Sequence, residues 1–203
     1  MIVEFVTCGG VDKELIELIA EKVAEVFGAS YRLASPLLPP PQNGYDPHRR
    51  QYDVGALIAE LRRSRTLPGP CVLGIADMDL HALGLNSVFG QADLTGRTAV
   101  ISLTRLRPQF WAELPDSRFL PERSVKEAVP ELGHTIGLRH CANPHCVMHF
   151  PETLADTDCK TERLCLGCVG MLPRNSRIPA IACWQLLWEH TDRMVCYSQG
   201  IYQ

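Results

Sequence analysis

The sequence predicts an α/β fold with a mostly parallel sheet. One observation is the alternation of strand-like and helix-like segments through the first half of the chain. Another is the turn chemistry between them, such as Gly9-Gly10, Pro68-Gly69-Pro70 and Leu94-Thr95-Gly96. A third is composition: 203 residues, 46% hydrophobic and 21% charged, is ordinary for a globular chain and long enough to bury a core.

Residues 2–7 (IVEFVT) suit a first strand. Gly9-Gly10 turns the chain, and Asp12 caps a helix in which Leu15, Ile16, Ile19, Val23, Val26 and Phe27 recur at three- and four-residue spacing. Gly28 ends it. A short strand follows near Tyr31–Leu33, and the five prolines of 36–47 make a loop. The stretch from Gln51 to Arg63 reads as a second helix, with Val54, Leu57, Ile58 and Leu61 on one face. CVLGIA (71–76), NSVFGQA (86–92) and TAVISL (98–103) are strand candidates. Residues 121–138 form a third helix, 141–168 lack periodicity and should be irregular and metal-held, and 179–197 read as a closing helix. In that last helix Ile181, Trp184, Leu187 and Trp188 are more simply a core stripe than a binding platform.

The net charge of −3 gives no basic surplus for nucleic acid or an anionic membrane. No apolar run approaches the roughly 20 residues of a membrane span. The N-terminal MIVEFVTCGG lacks the positive region of a signal peptide. The expectation is a soluble cytoplasmic protein that binds neither nucleic acid nor membrane.

Nine cysteines in such a chain argue against a disulfide framework. Cys8, Cys71, Cys183 and Cys196 are scattered, as small buried hydrophobes usually are, whereas Cys141, Cys146, Cys159, Cys165 and Cys168 cluster. Two cysteine pairs separated by a loop follow the spacing of a tetrahedral zinc site. Cys141, Cys146, Cys165 and Cys168 fill such a shell, so Cys159 is left out. A redox reading of Cys165-x-x-Cys168 lacks the flanking strand and helix it needs.

Just upstream, the chain from Pro130 reads PELGHTIGLRHC. Zinc peptidases use H-E-x-x-H because residues four apart share a helix face and can hold one ion, with the glutamate acting as base on water. The longer pattern adds a glycine at the helix end and a third histidine six residues past the second. Glu131, His134, Gly137 and His140 sit at those offsets, while Pro130 stands at the first histidine's place. The plain alternative is a helix-surface carboxylate and two surface histidines.

These residues resemble the archaemetzincins, a branch of the metzincin clan of zinc metallopeptidases. Their long histidine motif continues as C-x4-C-x-M and a later C-x-x-C, matched here by Cys141, Cys146, Met148, Cys165 and Cys168. Upstream, Arg50–Asp53, Asp79–Ala92 and Ile101–Leu106 look like the family's segments before the motif helix. The resemblance implies a zincin-type fold: a twisted mixed sheet with packed helices, a cleft, and a small zinc-stabilised C-terminal part. It implies one metzincin-like domain over 1–203, with an N-terminal subdomain (1–137) and a C-terminal one (138–203) carrying the four-cysteine zinc. It further implies Glu131 as catalytic base, His134 and His140 as ligands of a catalytic zinc, Gly137 and Met148 as structural support, and a peptide as partner. An edge strand around Asn86–Ala92 would align that peptide.

Proline cannot bind zinc, so the motif site keeps two protein ligands where catalytic zinc normally has three. His145 and His149 are near enough in sequence to lend a nitrogen, although exposed loop histidines are the plainer reading. Ser124-x-x-Glu127 resembles a capping box, which would start the helix upstream and make Pro130 interior; otherwise the regular helix begins at Pro130. The upstream start is favoured. Two functions are therefore carried forward: a zinc metallopeptidase, and a scaffold with a structural zinc that binds peptide without cutting it.

Overall fold

The computed structural model describes residues 1–34, 38–65 and 71–172. The expected closing helix at 179–197, with Cys183 and Cys196, lies outside them. Among the described residues the main sheet has five strands: β1 (Ile2–Cys8), β2 (Ser30–Leu33), β5 (Cys71–Ala76), β7 (Gly90–Asp93) and β8 (Thr98–Ser102), in the order β2-β1-β5-β8-β7. All neighbours are parallel except β7, which pairs antiparallel with β8 from Gly90 opposite Ile101 to Asp93 opposite Thr98. A smaller sheet joins β3 (Tyr45–Asp46), β4 (Gln51–Asp53) and β6 (Leu80–His81).

The central strands are buried on both faces, so their side chains divide by parity. Val3, Phe5, Leu73, Ile75, Ala99 and Ile101 face one layer of helix. That layer is α1 (Lys13–Phe27) and α3 (Phe119–Thr135), which contribute Ile19, Val23 and Phe27 and Val125, Val129 and Leu132. Val6, Val72, Ala76 and Val100 face α2 (Val54–Ser64) on the other side, against Leu57, Ile58 and Leu61. Asp12 caps α1 through the amides of Glu14 (2.9 Å) and Leu15 (3.2 Å), and Gly28 closes it with φ of 56°. The alternating reading thus gives the right layers.

Several boundaries differ from expectation. Residues 51–53 are a strand, because Asp53 turns its carboxylate onto the Ala56 amide (2.8 Å) and starts α2 only at Val54. The strand expected over 86–92 is shorter and shifted, since Val88 bonds back to the Leu80 carbonyl before β7 begins. Helix α3 begins at Phe119, with Pro121 in its first turn where no amide partner is needed. Ser124 is therefore interior and bonds the Leu120 carbonyl at 2.6 Å rather than capping. The helix stops at Thr135, not at 138, because Gly137 (φ 98°) reverses the chain while its amide reaches the His134 carbonyl at 3.1 Å.

Two single-turn helices (Thr104–Leu106 and Pro108–Trp111) lead from β8 toward α3. The segment expected to be irregular contains α4 (Leu154–Cys159) and α5 (Leu166–Gly170). Thr153 and Asp156 form a reciprocal capping box at the start of α4, a signal present in the sequence and overlooked. Among the described residues, no helix is long and apolar enough to cross a membrane.

Candidate active site and metal centre

A cleft of about 890 Å³ opens where the edge strand β7 faces α3. Val88–Ala92 form one wall, Phe150–Leu154 the other, and Pro130, Glu131, His134 and His140 lie along it. Gly90 permits the close approach: a Cβ there would lie 2.9 Å from Glu131 Cγ and 2.8 Å from the Val100 carbonyl oxygen. Glu131 thus rests directly over the edge strand. Burial, reinforced by the charge of Glu127 one turn earlier and opposed by Lys160, raises its carboxyl to about 8.

The turn at Gly137 brings His140 back onto His134. Their Nε2 atoms are 3.1 Å apart and their rings meet edge to face. His134 Nδ1 donates to the Leu138 carbonyl at 2.8 Å, and a carbonyl can only accept, so Nε2 presents its lone pair toward His140. Two imidazoles sharing a tetrahedral zinc place their nitrogens about 3.3 Å apart. The pair fits two corners of such an ion. Burial, then His134, hold His140 below the usual histidine range.

Among the described residues the third corner is not supplied. Pro130 is buried in the cleft wall and has no donor atom. His149 also faces the cleft, with Nδ1 donating to the Cys141 carbonyl at 3.0 Å, whereas exposed His145 is not among the lining residues. Yet among the described residues only the four-cysteine group brings three or more His, Cys, Asp or Glu ligand atoms within 4.8 Å of one another. As packed, His149 is not a third ligand.

Those cysteines are Cys141, Cys146, Cys165 and Cys168. The sulfurs of Cys141 and Cys165, and of Cys146 and Cys168, are 3.7 Å apart. Four sulfurs each about 2.3 Å from a central zinc lie about 3.8 Å apart, so the cluster has the dimensions of the ion it would hold. The backbone supports it: the Asn143 amide donates to Cys141 Sγ (3.5 Å) and the Cys165 amide to Cys146 Sγ (3.3 Å). Burial raises the Cys146 and Cys168 thiols. Burial also opposes ionisation of Cys165, but the Cys168 amide and the neighbouring thiols draw it down to about 7. Cys159 is exposed at the end of α4 and outside the cluster.

The two centres share a peptide bond between His140 and Cys141. The Cys141 amide also bonds the Met148 carbonyl at 2.9 Å, closing the loop. Met148 is fully buried beneath α3, where a Cβ on Gly133 would lie 2.9 Å from its Sδ. Sequence reasoning missed Gly90, Lys160 and Glu127 at this site. Glu127 accepts from Lys160 Nζ at 3.1 Å and Thr157 Oγ1 at 3.0 Å.

An edge strand opposite a helix bearing glutamate and histidine, then a glycine turn to a second histidine, is the architecture of a zincin-type metallopeptidase. The sequence profile of Peptidase family M54 matches residues 41–174. The chain belongs to that family. It is 38% identical over 164 residues to the archaemetzincin of Methanocaldococcus jannaschii, covering 81% of this chain and 88% of that one. It is 41% identical over 151 residues to the archaemetzincin of Pyrococcus abyssi, covering 73% and 80%. The fold matches the crystal structure of archaemetzincin from Archaeoglobus fulgidus complexed with malonate (TM-score 0.70, 34% identity, 84% of this chain and 99% of that one). It also matches a zinc-dependent peptidase from Methanocorpusculum labreanum (TM-score 0.74, 27% identity, 84% and 98%).

Proposed function

We propose that this chain holds one structural zinc tightly on Cys141, Cys146, Cys165 and Cys168, binds an extended peptide along β7, and hydrolyses it only where free zinc is high enough to fill the weaker site at His134 and His140. The observation that carries this reading is the convergence of Glu131, His134 and His140 on one cleft beside a strand edge that no other described strand pairs with. Family membership supports peptide hydrolysis as the chemistry. Zinc on the two imidazoles would supply the Lewis acid that polarises the scissile carbonyl.

The protein's own residues do the rest. The outer edge of β7 offers its backbone groups to an extended peptide and fixes its direction. Glu131, lying across Gly90, is placed to take a proton from the attacking water and pass it to the leaving amine. The apolar walls exclude other water. Pro130 separates this chain from an ordinary three-ligand site, and a two-imidazole site holds zinc less firmly than three ligands do.

A second reading, a cleft that binds peptide without cutting it, is favoured by the missing third donor at Pro130. Equilibrium dialysis with peptide-cleavage assays separates the two. The first reading expects one zinc per chain at low free zinc, with cleavage appearing at high zinc and vanishing in Glu131→Ala. Pro130→His should bind a second zinc more tightly and cut at least as well. Two tightly held zincs in the parent, with no gain in Pro130→His, would refute the ranking of the sites. Peptide binding with no cleavage at saturating zinc would establish the second reading.

A further inference from the structure

In an α-helix each amide donates to the carbonyl four residues back, and proline has no amide to donate. Pro130 lies inside α3, so the carbonyl it leaves without its helical partner is that of Lys126. Lys126 is itself buried, so this carbonyl is cut off from bulk water, and leaving it unpaired would be costly. The structure supplies a donor from elsewhere. Lys160 Nζ, in the segment after α4, donates to the Lys126 carbonyl at 3.2 Å and to Glu127 Oε1 at 3.1 Å. Lys160 is only 2% exposed, an unusual place for a lysine unless its charge is paired and its protons used. Glu127 provides the pairing, and Thr157 Oγ1 donates to the same carboxylate oxygen.

We infer that Lys160 is a positioning residue: its ammonium stands in for the peptide N–H that Pro130 lacks, keeping the following turn, with Glu131 and His134, helical and facing the cleft. The inference depends on the fold alone and not on the proposed hydrolysis. Lys126 and Glu127 are consecutive residues of one turn, so one ammonium can reach both the orphaned carbonyl and the carboxylate. The competing explanation is that Lys160 serves only to neutralise Glu127. The two differ in one respect: only the first makes Lys160 more important because residue 130 is proline.

A double-mutant cycle isolates that dependence. Lys160→Met and Pro130→Ala are made singly and together in the full chain, with the structural zinc supplied, and unfolded in urea. Alanine restores the amide and hence a helical partner for the Lys126 carbonyl. The stranded Glu127 carboxylate is common to both backgrounds and cancels. Lys160→Met should lower the folding equilibrium constant about tenfold more in the parent than in Pro130→Ala. Amide exchange of residues 131–134 should accelerate in Lys160→Met beyond the change at 123–129, and Pro130→Ala should restore it. If Lys160→Met fails to fold, the cycle is repeated in Glu127→Gln, where no carboxylate is stranded. Equal costs in both backgrounds, or an exchange pattern that Pro130→Ala does not restore, would overturn the inference.

Discussion

Replacing Gly90 by alanine would test how Glu131 is held. The new Cβ would lie 2.8 Å from the Val100 carbonyl oxygen, 2.9 Å from Glu131 Cγ and 3.2 Å from Glu131 Cδ. Carbon atoms in ordinary contact sit about 3.5 Å or more apart, so the methyl intrudes on the glutamate by about 0.6 Å. The glutamate can swing away. The Val100 carbonyl cannot, because it belongs to β8, which is held between β5 and β7. Overpacking of this kind costs about 1–3 kcal/mol. Urea denaturation of the zinc-loaded protein should show that loss. Peptide hydrolysis at saturating zinc should fall about tenfold to a hundredfold, because a base displaced by a fraction of an ångström no longer meets its proton. Unchanged stability together with unchanged hydrolysis would show that Glu131 does not rest against β7.

Other outcomes follow from the same geometry. Chelation, or Cys165→Ser, should unfold the part that begins at His140 and weaken zinc binding at the histidines; X-ray absorption of the parent should give sulfur neighbours near 2.3 Å, and a disulfide there would contradict this. Arg123 makes two 2.7 Å bonds to Asp158 and one of 3.0 Å to the Leu106 carbonyl, so Arg123→Met should cost about 2–4 kcal/mol in denaturant. For pH, burial and Glu127 raise Glu131 to about 8 in the folded chain. Its stabilising contribution is therefore full below the ordinary glutamate value and is lost as pH rises through about 8. With zinc limited to one per chain, Glu131→Gln, which mimics the protonated acid, should gain on the parent between pH 5 and pH 8. A constant difference over that range would contradict the raised value.

What the sequence reveals depends on how local the signal is. Apolar runs such as CVLGIA lie in strands as expected, because burial on both faces demands unbroken hydrophobicity. The four cysteines and two histidines are legible because metal geometry restricts spacing. Residues 51–53 were not, since Tyr52 and the Asp53 cap suit a helix entrance as well as a strand. Ser124 and Glu127 have the spacing of a cap, yet Glu127 is committed to a lysine 33 residues away. Nothing local marks Lys160, because a buried lysine is recognisable only once its partners are in place. Gly90 read as one more residue of the strand candidate 86–92, and its role depends on which helix crosses above it.

Among the described residues no strand pairs with the outer side of β7, and that open side carries a risk that its surroundings contain. An open strand edge is a template for any passing chain, including another copy of the same protein. Here the open edge is only four half-buried residues long. It ends at Asp93, whose carboxylate is folded back onto the amides of Thr95 and Gly96. The edge also sits within a cleft, with Trp111 and Phe150 among its walls. Such walls hinder a folded neighbour presenting a whole sheet more than they hinder one loose strand. The recess proposed to take a single extended segment would therefore also guard the protein against sheet-to-sheet aggregation.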